Sequence, residues 1–390
     1  MRKLFGNLLL VIGASIGTLL MLELVLQFVY PSHGTWRFYS IPDPELGWVL
    51  QPDAEFTRQV PGAFVNIRYN REGFRDSEHS DPPPDTATSI VILGDSYMEA
   101  NMVPLQQVFH KQLERLAAVQ GRQIASYNLG VAGYGTLQEY LTFKKAGEKR
   151  KPDLVLLAFY LHNDVRNNSE HLNVSAKATR GGKRKRPFLD ESNDAGWRIL
   201  KPDYERMQKK FLKQKNSLSF RIRYNSVLLS MFRNARRAFK SRSKSFRGGG
   251  VLAMHACTGR THFEKGWRTT ERVFKKLKQD VEDIGARLVV FSVPALFDAD
   301  LNIAKEFETS AGQNEPRFCV EDSPGYRQLR LMLKRNDIAY IDLVPDFREA
   351  VMKEGRDLFV RGDWHWNGEG HALAAGRVYE ALKSRGHLPK

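Results

Sequence analysis

Cysteine is scarce in this chain, which has only Cys257 and Cys319 among its 390 residues. Two cysteines form a structural zinc site only together with suitably spaced histidines, and no such spacing is present. A disulfide is compatible with an oxidising compartment, and two buried thiols are equally compatible with the sequence. A cysteine-based zinc centre is therefore excluded, while the state of the two thiols stays open.

Two common ligand-binding signatures are also missing. The glycine-rich stretch 128–135 is not followed by Lys-Ser or Lys-Thr, so it does not predict a phosphate-binding loop. The late residues Asp363, His365 and His371 are all metal-ligand types, which makes a metal site a rival interpretation of that region. They lack the His-x-x-x-His spacing of zinc proteases, and we expect neither a metal nor a cofactor.

Acidic residues are outnumbered, and the net charge is +16. Residues 166–270 hold 26 Lys+Arg against 7 Asp+Glu, a net +19, so the rest of the chain carries −3. The basicity belongs to one segment, which argues against nucleic-acid binding by the whole fold. This segment predicts an insertion at about 165–265, whose runs at 183–186 and 233–250 are typical of solvated loops. A patch for anionic lipid head groups or an acidic glycan is the alternative.

The longest apolar run lies at the N-terminus, from Leu4 to about Tyr30, after Arg2 and Lys3. Its length suffices for a bilayer, which needs about 20 residues per helical span. No good small-x-small cleavage site precedes Pro31, so residues 1–30 predict an uncleaved, single-pass transmembrane anchor. The basic N-terminus favours export of the remainder to the periplasm or the cell exterior. A long buried helix is the alternative, although apolar residues surround this helix on all sides.

Residues 31–85 predict a linker and a small β-rich accessory segment. Val65–Tyr69 alternates as a strand does, and a turn is predicted at 70–73. The aromatic residues Trp36, Phe38 and Tyr39 suit a membrane interface. The proline-rich stretch 81–85 is a stiff boundary, so the catalytic domain is predicted to span 86–390.

Five apolar runs alternate with helical patterns beyond that boundary, which predicts an α/β fold with a central five-stranded parallel sheet. The predicted strands are 90–93, 124–128, 154–159, 287–293 and 338–342. Thr136 and Glu139 are predicted to form a capping box at a helix start. Thr269 or Thr270 is predicted to cap a later helix that buries Val273, Phe274, Leu277, Val281 and Ile284.

Ser96 follows the first strand within Gly94-Asp95-Ser96. A glycine permits a sharp turn at the strand end, and open α/β sheets keep their active sites at the carboxyl ends of their strands. Ser96 is therefore a candidate nucleophile, although the triplet alone favours a turn with a helix-capping serine, because such triplets are common.

The other parts of a serine mechanism stand after later strands. Gly133 opens a helix and can direct its N–H towards an oxyanion, and the Asn163 side chain can supply a second donor. His365 is the candidate general base, with Asp363 holding its tautomer. An ordinary turn at Gly133, a cap at Asn163 and a structural histidine are the competing interpretations.

The chain resembles the SGNH/GDSL hydrolases over roughly 88–165 and 270–385. The four sequence blocks of that family are matched, in order, by Gly94-Asp95-Ser96, Gly133, Asn163-Asp164 and Asp363-Trp364-His365. The resemblance implies a flavodoxin-like three-layer α/β/α sandwich. It implies that Ser96, His365 and Asp363 are catalytic and that Ser96, Gly133 and Asn163 line the oxyanion hole.

Two departures from the family pattern affect the pocket and the acyl acceptor. His162 stands where glycine is usual, so it is a candidate pocket residue, with Asp95 and Trp366. The Asp-x-His spacing is similar to that of membrane-associated polysaccharide O-acetyltransferase members. We expect a membrane-anchored serine esterase that acts on an ester-bearing lipid or acylated glycan. Acyl transfer or deacetylation on a cell-envelope polysaccharide, and non-catalytic glycan binding, are the alternatives.

Overall fold

The computed structural model describes residues 2–29, 39–61, 63–79, 87–174, 184–192, 196–229, 231–232, 236, 252–258, 263–311 and 317–388. Its first element is helix α1, Arg2–Val29. Residues Phe5–Val29 have a mean hydropathy of 2.3 and are not buried by the protein, so by length and composition this helix is able to cross a membrane. Because a core helix would be covered by other elements, this exposure disfavours the alternative of a buried helix.

Two antiparallel hairpins follow the N-terminal helix. Strands β1, Ser40–Asp43, and β2, Gly47–Leu50, form the first, and β3, Glu55–Val60, and β4, Ala63–Arg68, form the second. The predicted strand at 65–69 falls largely within β4. These hairpins, called the accessory lobe below, share a small apolar core with Val131 of the α/β domain that follows. Tyr39 stacks on Phe56 of this core, whereas Trp36 and Phe38 lie outside the described residues.

A five-stranded parallel sheet forms the centre of the molecule, as predicted. Its strands are β5, Thr88–Leu93; β6, Ile124–Asn128; β7, Leu154–Phe159; β10, Arg287–Ser292; and β11, Ala339–Ile341. Their spatial order is β11-β10-β7-β5-β6, which is the flavodoxin-like order in which the first strand lies between the second and the third. Every residue of β5 and of β7 is buried, which explains their continuous apolar sequences.

Helices cover both faces of this sheet and complete the three predicted layers. The helices beyond α1 are α2, Ser96–Glu99; α3, Phe109–Val119; α4, Thr136–Thr142; α5, Asp164–Asn168; α6, Glu170–Val174; α7, Tyr204–Lys215; α8, Leu218–Asn225; α9, Glu264–Asp283; α10, Leu296–Ala299; α11, Leu301–Ala311; α12, Pro324–Arg335; α13, Val344–Met352; and α14, Gly368–Ser384. One apolar core lies beneath α4, α9 and α12, and the other lies beneath α3, α13 and α14.

Two predicted helix caps were wrong. Thr136 is the first residue of α4 rather than its cap, and the first turn instead donates the Leu137 N–H to the Asn168 side chain at 3.0 Å. Thr269 and Thr270 lie buried within α9, which begins at Glu264. Caps from distant segments satisfy helix ends as well as local ones, so a local pattern did not identify them. The predicted buried face of α9 is correct except for Ile284, which is 40% exposed.

The insertion is only partly described, and it contains α5 to α8 and a short hairpin of β8, Phe188–Leu189, with β9, Ile199–Leu200. Of the run 183–186, which was predicted to be solvated, Arg184 forms an ion pair with Glu170 and Arg186 contacts the α/β domain. The solvated-loop prediction is therefore wrong for these two arginines. Within the run 233–250, only residue 236 is described.

Cys257 and Cys319 form a disulfide with a Cα–Cα distance of 5.0 Å. The bond joins the end of the insertion to the segment before α12, where Ala256 and Phe318 also pair in an antiparallel bridge. Of the two alternatives that the sequence left open, the disulfide is the one that the structure contains.

Candidate active site

Ser96 stands where strand β5 turns into helix α2. A Cβ atom at Gly94 would lie 2.5 Å from Met98 Cγ and 3.1 Å from Ala158 Cβ, so the turn has space for glycine alone. Asp95 is the N-cap of α2, and its Oδ1 accepts the Tyr97 N–H at 3.0 Å. The helix-capping role is therefore filled by Asp95, and the Ser96 hydroxyl is left for another contact.

The Ser96 hydroxyl contacts an imidazole that comes from the far end of the chain. His365 Nε2 lies 2.8 Å from Ser96 Oγ, and His365 Nδ1 lies 2.5 Å from Asp363 Oδ1. The imidazole thus lies between a hydroxyl and a carboxylate, which is the arrangement that a serine nucleophile requires. The side chains of His365 and Asp363 are 30% and 31% exposed, so a substrate can reach this edge of the protein.

Asp363 is ionised in this arrangement. Burial alone raises the pKa of its carboxyl, but the His365 hydrogen bond, the charge of that ring and two backbone N–H groups outweigh burial and lower the pKa to about 2. The two N–H groups are those of Trp364, at 2.7 Å, and His365, at 3.1 Å. A carboxylate held in this way fixes which nitrogen of the imidazole carries the proton.

A short antiparallel bridge holds the loop that carries Asp363 and His365. Phe359 pairs with Trp366, and the Val360 N–H donates to the His365 carbonyl oxygen at 2.9 Å. The hydroxyl of Tyr97, next to the serine, donates to the Trp364 carbonyl oxygen at 2.7 Å. The loops that carry Ser96 and His365 are therefore tied together independently of the contact between these two side chains.

The predicted oxyanion donors follow the two strands that flank β5. Gly133 lies after β6 with a φ of +79°, a conformation that favours glycine, and its N–H has no hydrogen-bond partner among the described residues. Asn163 lies after β7 as the N-cap of α5, and its Nδ2 donates to Asp95 Oδ2 at 2.6 Å. An amide nitrogen has two hydrogens, so one remains for another acceptor.

Several residues that were not predicted hold the Gly133 loop. The Gly133 carbonyl oxygen accepts from Arg186 Nη1 at 3.0 Å and from Asn167 Nδ2 at 3.3 Å. Trp48 Nε1 donates to the Ala132 carbonyl oxygen at 3.3 Å, and the Ala132 N–H donates to Glu99. Asn167 stands four residues after Asn163 on one helix, which is a usable sequence signal. The other contacts join remote segments and have no local signal.

The three predicted pocket residues do not line an accessible pocket. Asp95 is fully buried, and burial raises the pKa of its carboxyl in spite of the Tyr97 and Asn163 hydrogen bonds. Trp366 is fully buried, stacks on Phe347 and donates its indole N–H to the Pro294 carbonyl oxygen at 2.9 Å. Both predictions were wrong because these side chains turn towards the interior.

His162 also turns away from solvent, with its side chain 5% exposed. Its Nε2 lies 2.9 Å from Asp298 Oδ2, and His255 Nε2 lies 3.1 Å from Asp298 Oδ1. Among the described residues, His162, His255 and Asp298 form the cluster whose ligand atoms lie close enough together to hold a metal ion. Asp298 Oδ2 already accepts from the Ala295 N–H at 2.8 Å and the Tyr326 hydroxyl at 3.0 Å, so this oxygen is satisfied by protein donors. Among the described residues, Asp298 Oδ1 and His255 Nε2 are buried without a hydrogen bond.

The rival metal site of Asp363, His365 and His371 does not form. His371 is fully buried and packs edge-on against Trp366, and burial lowers its pKa to about 3. It begins the buried face of α14 while Asp363 and His365 face Ser96, so the three side chains do not converge.

The chain resembles known acyl-transfer proteins in sequence and, weakly, in structure. Residues 258–390 match the family described as the SGNH hydrolase-like domain of the acetyltransferase AlgX. An acetyl xylan esterase shares 13% identity, with a TM-score of 0.39 over 75% of this chain and 99% of its own. A lipase/acylhydrolase from Enterococcus faecalis shares 14%, with a TM-score of 0.36 over 76% and 96%. No curated protein sequence matches the chain.

The family match over residues 258–390 and the flavodoxin-like strand order confirm the predicted resemblance to the SGNH/GDSL hydrolases. Its last third, which carries Asp363 and His365, is similar to the AlgX acetyltransferase domain. The likeness points to acyl-ester chemistry of the hydrolase or acetyl-transfer type. The two solved structures named above have TM-scores below 0.5, so they carry no argument about the activity.

Proposed function

We propose that this chain is a membrane-anchored serine esterase that forms an acyl-enzyme on Ser96. One observation carries the proposal: His365 Nε2 lies 2.8 Å from Ser96 Oγ while its Nδ1 contacts the ionised Asp363. A serine hydroxyl is a weak nucleophile without such a base. Ser96 lies near the start of the domain, and Asp363 and His365 lie near its end. A chance contact between two side chains would not account for all three positions.

The reaction proceeds in two acyl transfers. Ser96 Oγ attacks the ester carbonyl carbon as His365 Nε2 removes the hydroxyl proton, and the tetrahedral oxyanion forms. The carbon–oxygen bond to the leaving alcohol then breaks, and His365 returns the proton to that alcohol. A water molecule, deprotonated by the same imidazole, attacks the acyl-enzyme, and the carboxylic acid leaves as Ser96 regains its proton.

Gly133 and Asn163 are the proposed donors to the oxyanion, together with the Ser96 N–H. The support is the unpartnered Gly133 N–H and the second amide hydrogen of Asn163, at the ends of strands adjacent to β5. Asp95 anchors the Asn163 amide from below, so that donor is held in place before substrate arrives. Preorganised donors of this kind contribute about 3 kcal/mol each to transition-state stabilisation.

Acyl transfer to a cell-envelope polysaccharide is the second candidate. The match of residues 258–390 to the AlgX acetyltransferase domain favours it, because that region supplies both Asp363 and His365. The first half of the reaction is unchanged, and a sugar hydroxyl replaces water as the group that His365 deprotonates. The two candidates differ only in the acceptor.

The proposal includes a membrane location for this chemistry. Helix α1 begins with the basic pair Arg2 and Lys3 and continues as a largely apolar stretch, which supports an N-terminus in the cytoplasm and a catalytic domain on the exported side. The proposed substrates are therefore acylated glycans or lipids of the cell envelope.

A fluorophosphonate probe tests whether Ser96 is a nucleophile. The full-length protein should be labelled, and the Ser96→Ala variant should not. Ser384→Ala, at an exposed serine of α14, is the matched control and should label as wild type does. Equal labelling of wild type and Ser96→Ala would refute the acyl-enzyme on Ser96, and absence of labelling in both would favour a non-catalytic glycan-binding protein.

The acceptor is tested by incubating the protein with p-nitrophenyl acetate, with and without a polysaccharide acceptor. Release of acetate to water at the same rate in both samples supports the esterase. Acetylated polysaccharide, formed by wild type and not by Ser96→Ala, would instead establish the transferase.

A further inference from the structure

Helix α1 carries one acidic side chain in its apolar stretch, Glu23, and the insertion satisfies it. Glu23 accepts from the Ser226 hydroxyl at 2.7 Å, the Val227 N–H at 2.8 Å and the Leu228 N–H at 3.1 Å. Gln27, one turn further on, donates its side-chain amide to the same carboxylate at 2.9 Å. The insertion therefore contacts the membrane-spanning helix at a defined position.

The contact lies below the end of that helix. Glu23 stands six residues before Val29, which corresponds to about 9 Å along an α-helix at 1.5 Å per residue. A segment bonded to Glu23 therefore reaches beneath the membrane surface if α1 spans the bilayer. The bonded N–H groups belong to the start of a helical turn, and such donors lack partners within their own helix. In an apolar layer an unpaired donor or carboxylate is costly, and each group here satisfies the other.

The side chains around this contact are apolar and uncovered. The exposed large apolar residues between α8 and the following turn are Leu218 at 71%, Ile222 at 56%, Leu229 at 41%, Met231 at 48% and Phe232 at 72%. Single exposed apolar residues are normal on soluble proteins, but a cluster of this size marks a surface that another apolar phase covers. Its continuity with α1, which has the same exposed apolar character, identifies that phase as lipid.

The preceding helix supplies the matching charge. On α7, the exposed basic residues are Arg206, Lys209, Lys210, Lys213 and Lys215, and α7 is joined to α8 by a turn at Asn216–Ser217. Lysines beside an apolar membrane-facing segment attract anionic head groups, at about 1 kcal/mol per charge near the surface. Apolar and basic residues in this order are typical of helices that lie in a membrane interface.

We propose that residues 218–229 and 231–232 form a second membrane contact, an interfacial element docked on α1 through Glu23. Its apolar side chains enter the acyl region of the leaflet that faces the catalytic domain, and α7 faces anionic phospholipid head groups. The insertion thereby fixes the catalytic domain close to the membrane. This contact does not depend on the reaction at Ser96.

Site-directed spin labels test the lipid contact. Both native cysteines are paired, so a new cysteine is the labelling site in the non-reduced protein. Phe232→Cys is compared with Val119→Cys, an 82% exposed position on α3, in vesicles of phosphatidylcholine and phosphatidylglycerol in equal parts. Collisions with oxygen should exceed those with a water-soluble nickel chelate at position 232, and the order should reverse at position 119.

Two outcomes overturn the proposal. A label at position 232 that collides with the nickel chelate as often as the label at 119 does would place the segment in water. Protection of that label from both reagents would mean that protein, such as a second copy of the chain, covers the segment.

The Glu23 contact is tested in the same vesicles. Glu23→Leu removes the acceptor and should raise nickel collisions at position 232, while Glu23→Gln, which retains one carbonyl acceptor, should change them less. Thr18→Val is the matched control, because Thr18 bonds only within α1. Unchanged collisions in Glu23→Leu would show that the docking contact does not hold the segment in the membrane.

Discussion

Trp48 Nε1 donates a hydrogen bond to the carbonyl oxygen of Ala132 at 3.3 Å, although Trp48 belongs to the accessory lobe and Ala132 to the α/β domain. The Ala132 carbonyl and the Gly133 N–H share one peptide plane and point in opposite directions. Holding the carbonyl therefore orients the proposed oxyanion donor. Arg186 of the insertion lies over the Trp48 ring at 5.2 Å and holds the next carbonyl, so both additional segments support the same loop.

Trp48→Phe should lower kcat without a comparable change in KM. The ring remains, but the indole N–H is lost, and a single neutral hydrogen bond contributes about 1 kcal/mol, which corresponds to roughly fivefold in rate. Hydrolysis of p-nitrophenyl acetate measures both constants. Trp197→Phe, at a partly exposed tryptophan of the insertion, should leave kcat unchanged. A rise in KM alone would assign Trp48 to substrate binding instead.

His365→Ala should abolish ester turnover, while Asp363→Ala should leave a measurable fraction. The imidazole transfers the proton, whereas the carboxylate orients it, and such roles are worth about 10²–10⁴-fold. Asp363→Asn keeps the size of the side chain and tests the charge, which is present above a pKa of about 2. Equal loss in both alanine variants would indicate a strictly coupled triad, and an active His365→Ala would show that another residue is the base.

Asn163→Ala should reduce kcat by about 10²–10³-fold, because one oxyanion donor is removed. The same change leaves the buried Asp95 carboxylate without its amide partner, so a stability measurement must accompany the kinetics. Asn163→Ser, which restores a smaller donor, distinguishes the two effects. A loss of stability with unchanged kcat would make Asn163 a structural cap.

Replacing both Cys257 and Cys319 by serine should lower the free energy of unfolding by about 2–4 kcal/mol. The disulfide closes a loop with a sequence separation of 62, and opening it gives the unfolded chain more conformations. Thermal unfolding of the full-length protein in detergent measures the effect. A reductant should lower the Tm of the wild type and leave the Tm of the double variant unchanged, and an insensitive wild type would contradict the prediction.

His371 should make the fold sensitive to acid. Burial lowers its pKa to about 3 from an ordinary value near 6.5, so between those values the unfolded state binds more protons. Stability should therefore fall as the pH drops from about 6.5 to 3, by at most about 1.4 kcal/mol per pH unit from this residue. Denaturant unfolding at several pH values should show a shallower slope for His371→Gln. His171→Gln, at an exposed histidine of α6, is the control.

The parallel sheet was predictable because its strands carry their own signal. A strand such as β7, buried on both faces, is apolar throughout. Glycine at position 94 indicates a turn before Ser96 in which a side chain would be crowded. The residue types around Ser96 were equally predictable, because serine chemistry requires a base and oxyanion donors and the chain places such residues after successive strands. Whether those residues perform these roles stays a prediction that the variants above test.

The sequence by itself determined where the strands lie along the chain, the apolar N-terminal helix and the set of polar residues after the strand ends. The tertiary structure decided which of these residues meet. It paired His365 with Ser96 across 269 positions, turned Asp95 and Trp366 inward, and brought Trp48 and Arg186 to the Gly133 loop. Local patterns report burial and backbone preference, whereas these contacts depend on how distant segments pack, which no local pattern encodes.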